Sequence, residues 1–267
     1  MTGSAGTIRI DRKGPRLDIV LDRPEARNAL TMTMYDALEA TLEEVAGDRD
    51  VRVVVLRGAG QAFSGGTDIA QLAAFESADE GVTYERRIER VFSRLESLPQ
   101  PTVAAVKGVA AGAGLLLSAA CDLRVCSPDA RFGAPIARTV GNALSLANAA
   151  RLVALLGPSR VRAMLLTASM MDSAEAMATG FVVRIVPALD MDAHIDALCE
   201  KLCAHAPLTL SVTKQTIQHL CGRMSGADAA LDPTASDDLL RSVYGSRDFK
   251  EGVTAFLTGR PPRWEGR

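Results

Sequence analysis

The sequence predicts an α/β fold in which strands and amphipathic helices alternate before the chain ends in a helical tail. Three observations carry that expectation. Short apolar runs rich in β-branched residues, such as Arg52–Leu56 and Val182–Val186, fit buried strands. Between them, apolar residues recur at helical spacing, as in Met34, Leu38, Leu42 and Val45 and again in Ile88, Val91, Phe92 and Leu95. From Met191 onward the chain reads almost entirely as helix. Strand-strand-helix units repeated over the first two-thirds imply layered or coiled sheets, and no linker divides the chain into independent domains.

Thr7–Asp11 and Arg16–Leu21 flank Lys13-Gly14-Pro15 and predict a hairpin. Asp22–Leu30 is a loop, after which Thr31 or Thr33 caps a helix running to about Ala46, stopped by Gly47 and Asp48. The strand at Arg52–Leu56 follows, then a glycine-rich loop, Gly58-Ala59-Gly60-Gln61-Ala62-Phe63-Ser64-Gly65-Gly66-Thr67-Asp68-Ile69, entering a short helical turn. The polar segment Ala73–Gly81 is the candidate for a mobile lid. Tyr84–Leu98 is an amphipathic helix ended by Pro99 and Pro101. After the segment 104–121, strands are expected at Asp122–Cys126 and Ala130–Gly133, and a loop at Pro135–Asn142. Helices are expected at Ser145–Leu156, Ser159–Ala168 and Ser173–Thr179, then a strand at Val182–Val186. The tail comprises helices at Met191–His205, Pro207–Cys221, about Ala227–Arg241, and Arg247–Leu257.

Bulk composition narrows the function classes. The formal net charge of −2 gives no electrostatic footprint for a polyanion, and an aromatic content of 4% leaves few stacking platforms, so no nucleic-acid partner is expected. No stretch has the length of a membrane span, and no basic region precedes an apolar run at the N-terminus. The five cysteines, Cys121, Cys126, Cys199, Cys203 and Cys221, are odd in number and lack metal-type spacing with histidines. They read as buried thiols in a reducing, cytoplasmic setting, with no metal and no cofactor.

The stretch Ala104-Ala105-Val106-Lys107-Gly108-Val109-Ala110-Ala111-Gly112-Ala113-Gly114-Leu115-Leu116-Leu117-Ser118 passes from strand through tight loop into an apolar helix. Its glycines permit close backbone approach. The first N–H groups of the helix lack intrahelical partners and carry the positive end of its dipole, which suits a developing oxyanion. A plain close-packed turn is the competing reading of the same residues.

The segments Leu21-Asp22-Arg23-Pro24-Glu25-Ala26-Arg27-Asn28-Ala29-Leu30, Ala62–Ile69 and Val106–Gly114 together resemble the signatures of the crotonase (enoyl-CoA hydratase/isomerase) superfamily. The resemblance continues through Cys121-Asp122-Leu123-Arg124, Ala130-Arg131-Phe132-Gly133 and Asp248-Phe249-Lys250-Glu251-Gly252, in order and over nearly the whole chain. It implies a spiral of ββα units over residues 1–200, carrying an acyl-CoA site. Residues 201–267 then form a C-terminal helical trimerisation region of the same folding unit, giving a trimer or dimer of trimers. It further implies that the backbone N–H groups of Thr67, after Gly66, and of Ala113, between Gly112 and Gly114, hold a thioester enolate. Ala26, Arg27, Asp68 and Ile69 fall at positions implied to contact CoA; the basic position implied near the C-terminus falls on Gly259, with Arg260 one residue on as its substitute, and CoA is part of the substrate. Arg23 reads as a solvated charge, and Asp68, Ser118 and Asp122 as structural.

The resemblance also exposes a departure. The two glutamates that typical hydratases use for acid and base fall on Leu116 and Ile136, neither of which moves a proton. Both positions, with Val140 and Leu144, hint at a greasy acyl pocket. Arg138, Thr139 and Asn142 are candidate accessory groups beyond Ile136, and Glu76, Asp79, Glu80 and Tyr84 are available near the lid. An acyl-CoA-processing lyase or isomerase that forms an enolate is expected, with classical hydration disfavoured. A non-catalytic acyl-CoA-binding protein is the alternative.

Overall fold

A computed structural model describes residues 6–73, 75–224 and 237–267 of the chain. The α/β expectation holds. Strands β1 (Thr7–Lys13) and β2 (Arg16–Asp22) form the antiparallel hairpin, paired from Thr7 with Asp22 to Lys13 with Arg16. β2 then pairs in parallel with β3 (Val53–Gly58), β3 with β4 (Thr102–Val106), β4 with β6 (Leu123–Cys126), and β6 with β9 (Arg184–Ile185). The result is a six-stranded sheet in the order β1-β2-β3-β4-β6-β9. A second, three-stranded sheet comprises β5 (Val109–Ala111), β7 (Arg131–Gly133) and β8 (Met171–Asp172).

Side-chain alternation explains why the large sheet is covered on both faces. Val54, Leu56, Ala104, Val106 and Cys126 point to the main core, shared with helices α1 (Met32–Gly47), α3 (Ala78–Ser97) and α4 (Ala113–Ala120). Their neighbours Val53, Val55, Val103, Ala105 and Val125 point the other way, onto Met191, Ile195 and Cys199 of α8 (Met191–Cys203). A strand buried on both faces must be apolar, which is the pattern of residues 53–56 in β3 and 103–106 in β4.

Most boundaries agree with the sequence, and the exceptions have local causes. α3 starts at Ala78 rather than Tyr84, because Ser77 and Glu80 form a reciprocal capping box. Residues 78–81 of the expected lid are thus helix, and Glu80, a candidate acid, spends its carboxylate on the amides of Glu76 and Ser77. A short helical turn, α2 (Ile69–Leu72), begins at the Asp68 cap. Residues expected as loop form another, α5 (Ile136–Thr139). Gly157, at φ 75°, breaks α6 (Leu146–Leu166) where two helices were expected. The strand predicted over Val182–Val186 pairs only at Arg184–Ile185, and β8 was not predicted at all. α7 (Ser173–Ala178) and α9 (Pro207–Met224) follow. The helix expected from Ala227 begins outside the described residues, which contain α10 (Asp237–Tyr244) and α11 (Arg247–Thr258).

The tail is anchored to the core through a buried charge. Lys214 of α9 lies 2.9 Å from Asp122 and donates to the Gln100 carbonyl. Asp122 also accepts from the amide and hydroxyl of Thr102 at 2.7 and 2.8 Å, so its role is structural.

Candidate active site

Two glycine-bearing loops meet at the end of the large sheet. One leaves β3 and runs from Gly58 to Asp68; the other joins β5 to α4 through Gly112. Backbone hydrogen bonds join them: Phe63 and Ser64 donate to the Val109 carbonyl, and Ala111 donates to Ser64 at 2.9 Å. Gly112 has φ 52° and ψ −117°, and Gly66 has φ 110°, conformations that L side chains rarely adopt. The approach is also too close for larger residues. A Cβ on Gly114 would sit 2.5 Å from the Ser64 oxygen, and one on Gly66 would sit 3.1 Å from the Ala111 oxygen and 3.7 Å from the Ala113 nitrogen.

This junction sets the Gly66–Thr67 peptide beside the start of α4 at Ala113. The backbone N–H groups of Thr67 and Ala113 donate to no acceptor among the described residues. Ala113 opens α4, a helix whose every residue is buried, so its N-terminal donors face protein rather than bulk water. At the opposite end, the Arg124 guanidinium caps the helix by donating to the carbonyls of Ser118 and Cys121.

Asn28 secures the first loop. Fully buried at φ 56°, it donates from its amide to Ala59 and Ala62 at 2.9 and 2.7 Å and accepts from the Arg23 amide. Gly65 donates to the Arg27 carbonyl, and Leu30 to Gly66, so Ala26 and Arg27 lie directly over the Gly65–Gly66 turn. Arg23 is not the solvated charge expected from sequence. Its guanidinium sits 2.8 Å from Asp68 and donates to the Ala29 carbonyl. Asp68 caps α2, leaving Ile69 exposed.

Tyrosines complete the setting of Thr67. Its hydroxyl lies 2.8 Å from the Tyr35 hydroxyl and 2.6 Å from that of Tyr84. Burial raises the pKa of both phenols. Tyr84, expected near the lid, instead forms part of the wall beside Thr67.

Beyond Tyr84 opens a cavity of about 830 Å³ between α3 and residues 140–147, walled by Leu72, Phe75, Val82, Val140 and Leu144. Val140 and Leu144 therefore meet the expectation of an apolar pocket. Leu116 and Ile136 do not line this cavity; Leu116 is buried in the main core and Ile136 packs against it. Of the accessory candidates, Asn142 borders the cavity, whereas Arg138 and Thr139 are exposed outside it, and the Thr139 hydroxyl donates to Pro135. Arg260 lies on a separate patch, forked onto the Glu251 carboxylate at 2.7 and 2.8 Å.

The residue that sequence reasoning missed is Glu85. It lines the cavity, and its Oε2 is buried without a hydrogen-bond partner. Burial raises its pKa, the nearby Ser145 amide opposes the rise, and Glu89 adds to it. One signal was present: Glu85 precedes Ile88 by three residues and Phe92 by seven, beside the apolar stripe of α3. The Cys121, Cys126 and Cys199 thiols are pushed up to about 12 by burial. Among the described residues no His, Cys, Asp and Glu cluster could hold a metal, and no helix is long and apolar enough to cross a membrane.

Residues 16–267 match the enoyl-CoA hydratase/isomerase family. A putative enoyl-CoA hydratase of Thermus thermophilus is 35% identical over 254 residues, covering 94% of this chain and 98% of the relative. The short-chain-enoyl-CoA hydratase of Clostridium acetobutylicum is 29% identical, covering 95% of each chain. A crystal structure of an enoyl-CoA hydratase/carnithine racemase from Magnetospirillum magneticum superposes with a TM-score of 0.89 at 30% identity, covering 97% of this chain and 96% of that one.

Proposed function

The chain belongs to the enoyl-CoA hydratase/isomerase family, and on that premise we propose that it stabilises the enolate of an acyl-CoA thioester with the backbone N–H groups of Thr67 and Ala113. The observation that carries this reading is that both donors are unspent where two interlocked backbone loops meet. Backbone donors fixed by neighbouring hydrogen bonds need no reorganisation as charge develops on the thioester oxygen. Ala26, Arg27, Gly66, Asp68, Ile69, Gly112 and Gly114 surround or shape this junction and are proposed as the CoA-side contacts. Arg260 is the weakest of that set, because its guanidinium already pairs with Glu251.

Hydration needs a base for water and an acid for the α-carbon. Leu116 and Ile136 supply neither, so the reaction is proposed to be an isomerisation or another step through an enolate in which water, rather than a carboxylate, takes the α-proton and returns it. The test is turnover of a panel of trans-2-enoyl-CoAs beside α-hydrogen exchange of saturated acyl-CoAs in deuterated water. Exchange without hydration is expected. Hydration at the rate of an ordinary hydratase would refute the roles given to Leu116 and Ile136. Saturable acyl-CoA binding with neither exchange nor turnover would favour the second reading, a non-catalytic acyl-CoA-binding protein, for which the same two apolar residues speak.

Self-association through the C-terminal helices belongs to the same proposal. Phe256 and Leu257 of α11 are 86% and 78% exposed, an unusual cost for a free surface. Light scattering of the purified chain is expected to give a trimer or a dimer of trimers.

A further inference from the structure

The two proposed donors are held in different ways. The N–H of Ala113 belongs to the first turn of α4, whose residues are all buried, so helix and core fix its direction. The N–H of Thr67 has no such helix behind it. It belongs to the Gly66–Thr67 peptide, whose carbonyl accepts from the Leu30 amide at 2.7 Å. A trans peptide points its N–H away from its C=O, so Leu30 sets the line of the donor. One residue on, the Asp68 amide donates to the Leu30 carbonyl at 2.9 Å. The Gly66 side is less constrained, because at φ 110° this glycine has no side chain to resist rotation of the peptide.

On the Thr67 side the constraint is a pair of phenols. The Thr67 hydroxyl lies 2.8 Å from that of Tyr35 on α1 and 2.6 Å from that of Tyr84 on α3. Tyr35 is fully buried and Tyr84 nearly so, its ring tilted against Phe75 at 5.7 Å between centroids. Apart from these two tyrosines, the buried side chains of α1 and α3 are apolar. Packing the helices therefore needs no hydroxyl here, and phenylalanine would fill the same volume. A hydroxyl can accept from both phenols, or accept from one and donate to the other. Either arrangement locks χ1 of a β-branched residue and ties its Cα to two helices set in the core.

We infer that Tyr35 and Tyr84 are positioning residues, which through the Thr67 hydroxyl hold the Gly66–Thr67 peptide so that its N–H meets the charge developing on the thioester oxygen. The inference rests on the oxyanion reading above and deepens it. In this role neither phenol touches the substrate and neither moves a proton. Their effect is differential. A donor aimed in advance at the oxyanion favours the enolate over the neutral thioester, whose carbonyl carries less charge. Loss of a phenol hydroxyl then weakens enolate stabilisation and leaves binding of the neutral thioester to the rest of the site.

The experiment uses acetoacetyl-CoA as its probe, because a 3-oxoacyl thioester ionises to an enolate that absorbs in the near ultraviolet and needs no catalytic base. Difference absorbance at one pH reads the ratio of enolate to neutral probe on the full chain. Calorimetry reads the affinity for butanoyl-CoA, which stays neutral, and reports that each variant is folded. The wild type is expected to raise the enolate ratio above that of the free probe. Tyr84→Phe, Tyr35→Phe and Thr67→Val are each expected to lower it about five- to tenfold, with butanoyl-CoA affinity within about twofold of wild type. None of them changes a charge. Thr67→Ser, which keeps the hydroxyl, should recover most of what Thr67→Val loses. Tyr84→Phe added to Thr67→Val should lose little more, because both break one clamp. An enolate ratio unchanged in the phenylalanine variants would overturn the inference. So would additive losses in the double variant, or a butanoyl-CoA affinity that falls in step with the ratio. A wild type that binds the probe without raising the ratio, or binds no acyl-CoA, would overturn the oxyanion reading itself, a result distinguishable from one confined to the variants.

Discussion

The loop junction at Gly66 and Gly112 and the cavity beside α3 adjoin at Thr67 and Tyr84, but they are made of different material. The junction is backbone against backbone. Its peptide groups pair with one another, a buried asparagine ties one loop, and no Cβ fits where Gly114 passes Ser64. The cavity is side chain against side chain, with largely apolar walls. Side chains can be exchanged along α3 without disturbing a strand ladder, whereas the junction admits almost no change. A site built this way keeps a fixed place for a developing charge and leaves the choice of acyl group to a separate, adaptable wall.

The sharpest way to break that contrast is to put a side chain into the junction. Gly114→Val forces Cβ to within 2.5 Å of the Ser64 oxygen and 2.8 Å of its Cβ, and both loops are already pinned. A loss of more than about 3 kcal/mol is expected, with acyl-CoA binding lost in any protein that still folds. Urea denaturation and calorimetry measure the two effects. A variant with near-native stability would show that the loops are less tightly joined than their hydrogen bonds imply.

Asn28→Ala probes the same side without adding bulk. It leaves the Ala59 and Ala62 carbonyls and the Arg23 amide without their present partner, and it places alanine at φ 56°. About 2–3 kcal/mol of destabilisation is expected. Asn28→Asp should recover only the bond from Arg23, because a carboxylate cannot donate to two carbonyls. If the aspartate variant matched wild type in denaturation, the asparagine would not be the brace of this loop.

The junction was the part of the site most legible in the sequence, and the cavity the least. Glycines at 66, 112 and 114 announce close backbone approach because no other residue serves there, so the type of residue encodes the geometry. The strands β1 to β4 and the helices α1 and α3 were likewise readable from period. Asn28 was not, since an asparagine in a loop carries no mark of which carbonyls it will reach. Arg23 looked like a surface charge because its partner, Asp68, lies far along the chain. Glu85 was obscured by the rule that acids on an amphipathic helix face water. Only the packing of residues 140–147 over that face encloses it. Arg138 and Thr139 failed in the opposite sense: closeness in sequence to Ile136 suggested a shared pocket, and the α5 turn carries them outside it.

The smallest expected effect belongs to the cavity side and depends on pH. Burial, with a lesser contribution from Glu89, holds the folded Glu85 pKa above the ordinary glutamate value, against the pull of the Ser145 amide. Between the ordinary and the raised values, the folded chain therefore binds more protons at this site than the unfolded chain does. Stability contributed by the neutral carboxyl is present below the ordinary value and is lost as pH rises through the raised one. Glu85→Gln, which cannot ionise, should consequently gain on wild type as pH increases. Because the side chain is partly exposed and solvent screens it, the gain at neutral pH should not exceed about 1 kcal/mol. Urea denaturation of both proteins at about pH 4 and about pH 7.5 reads the difference directly. A constant offset between the two conditions would mean that Glu85 titrates as a solvated glutamate, with its carboxyl in water rather than buried.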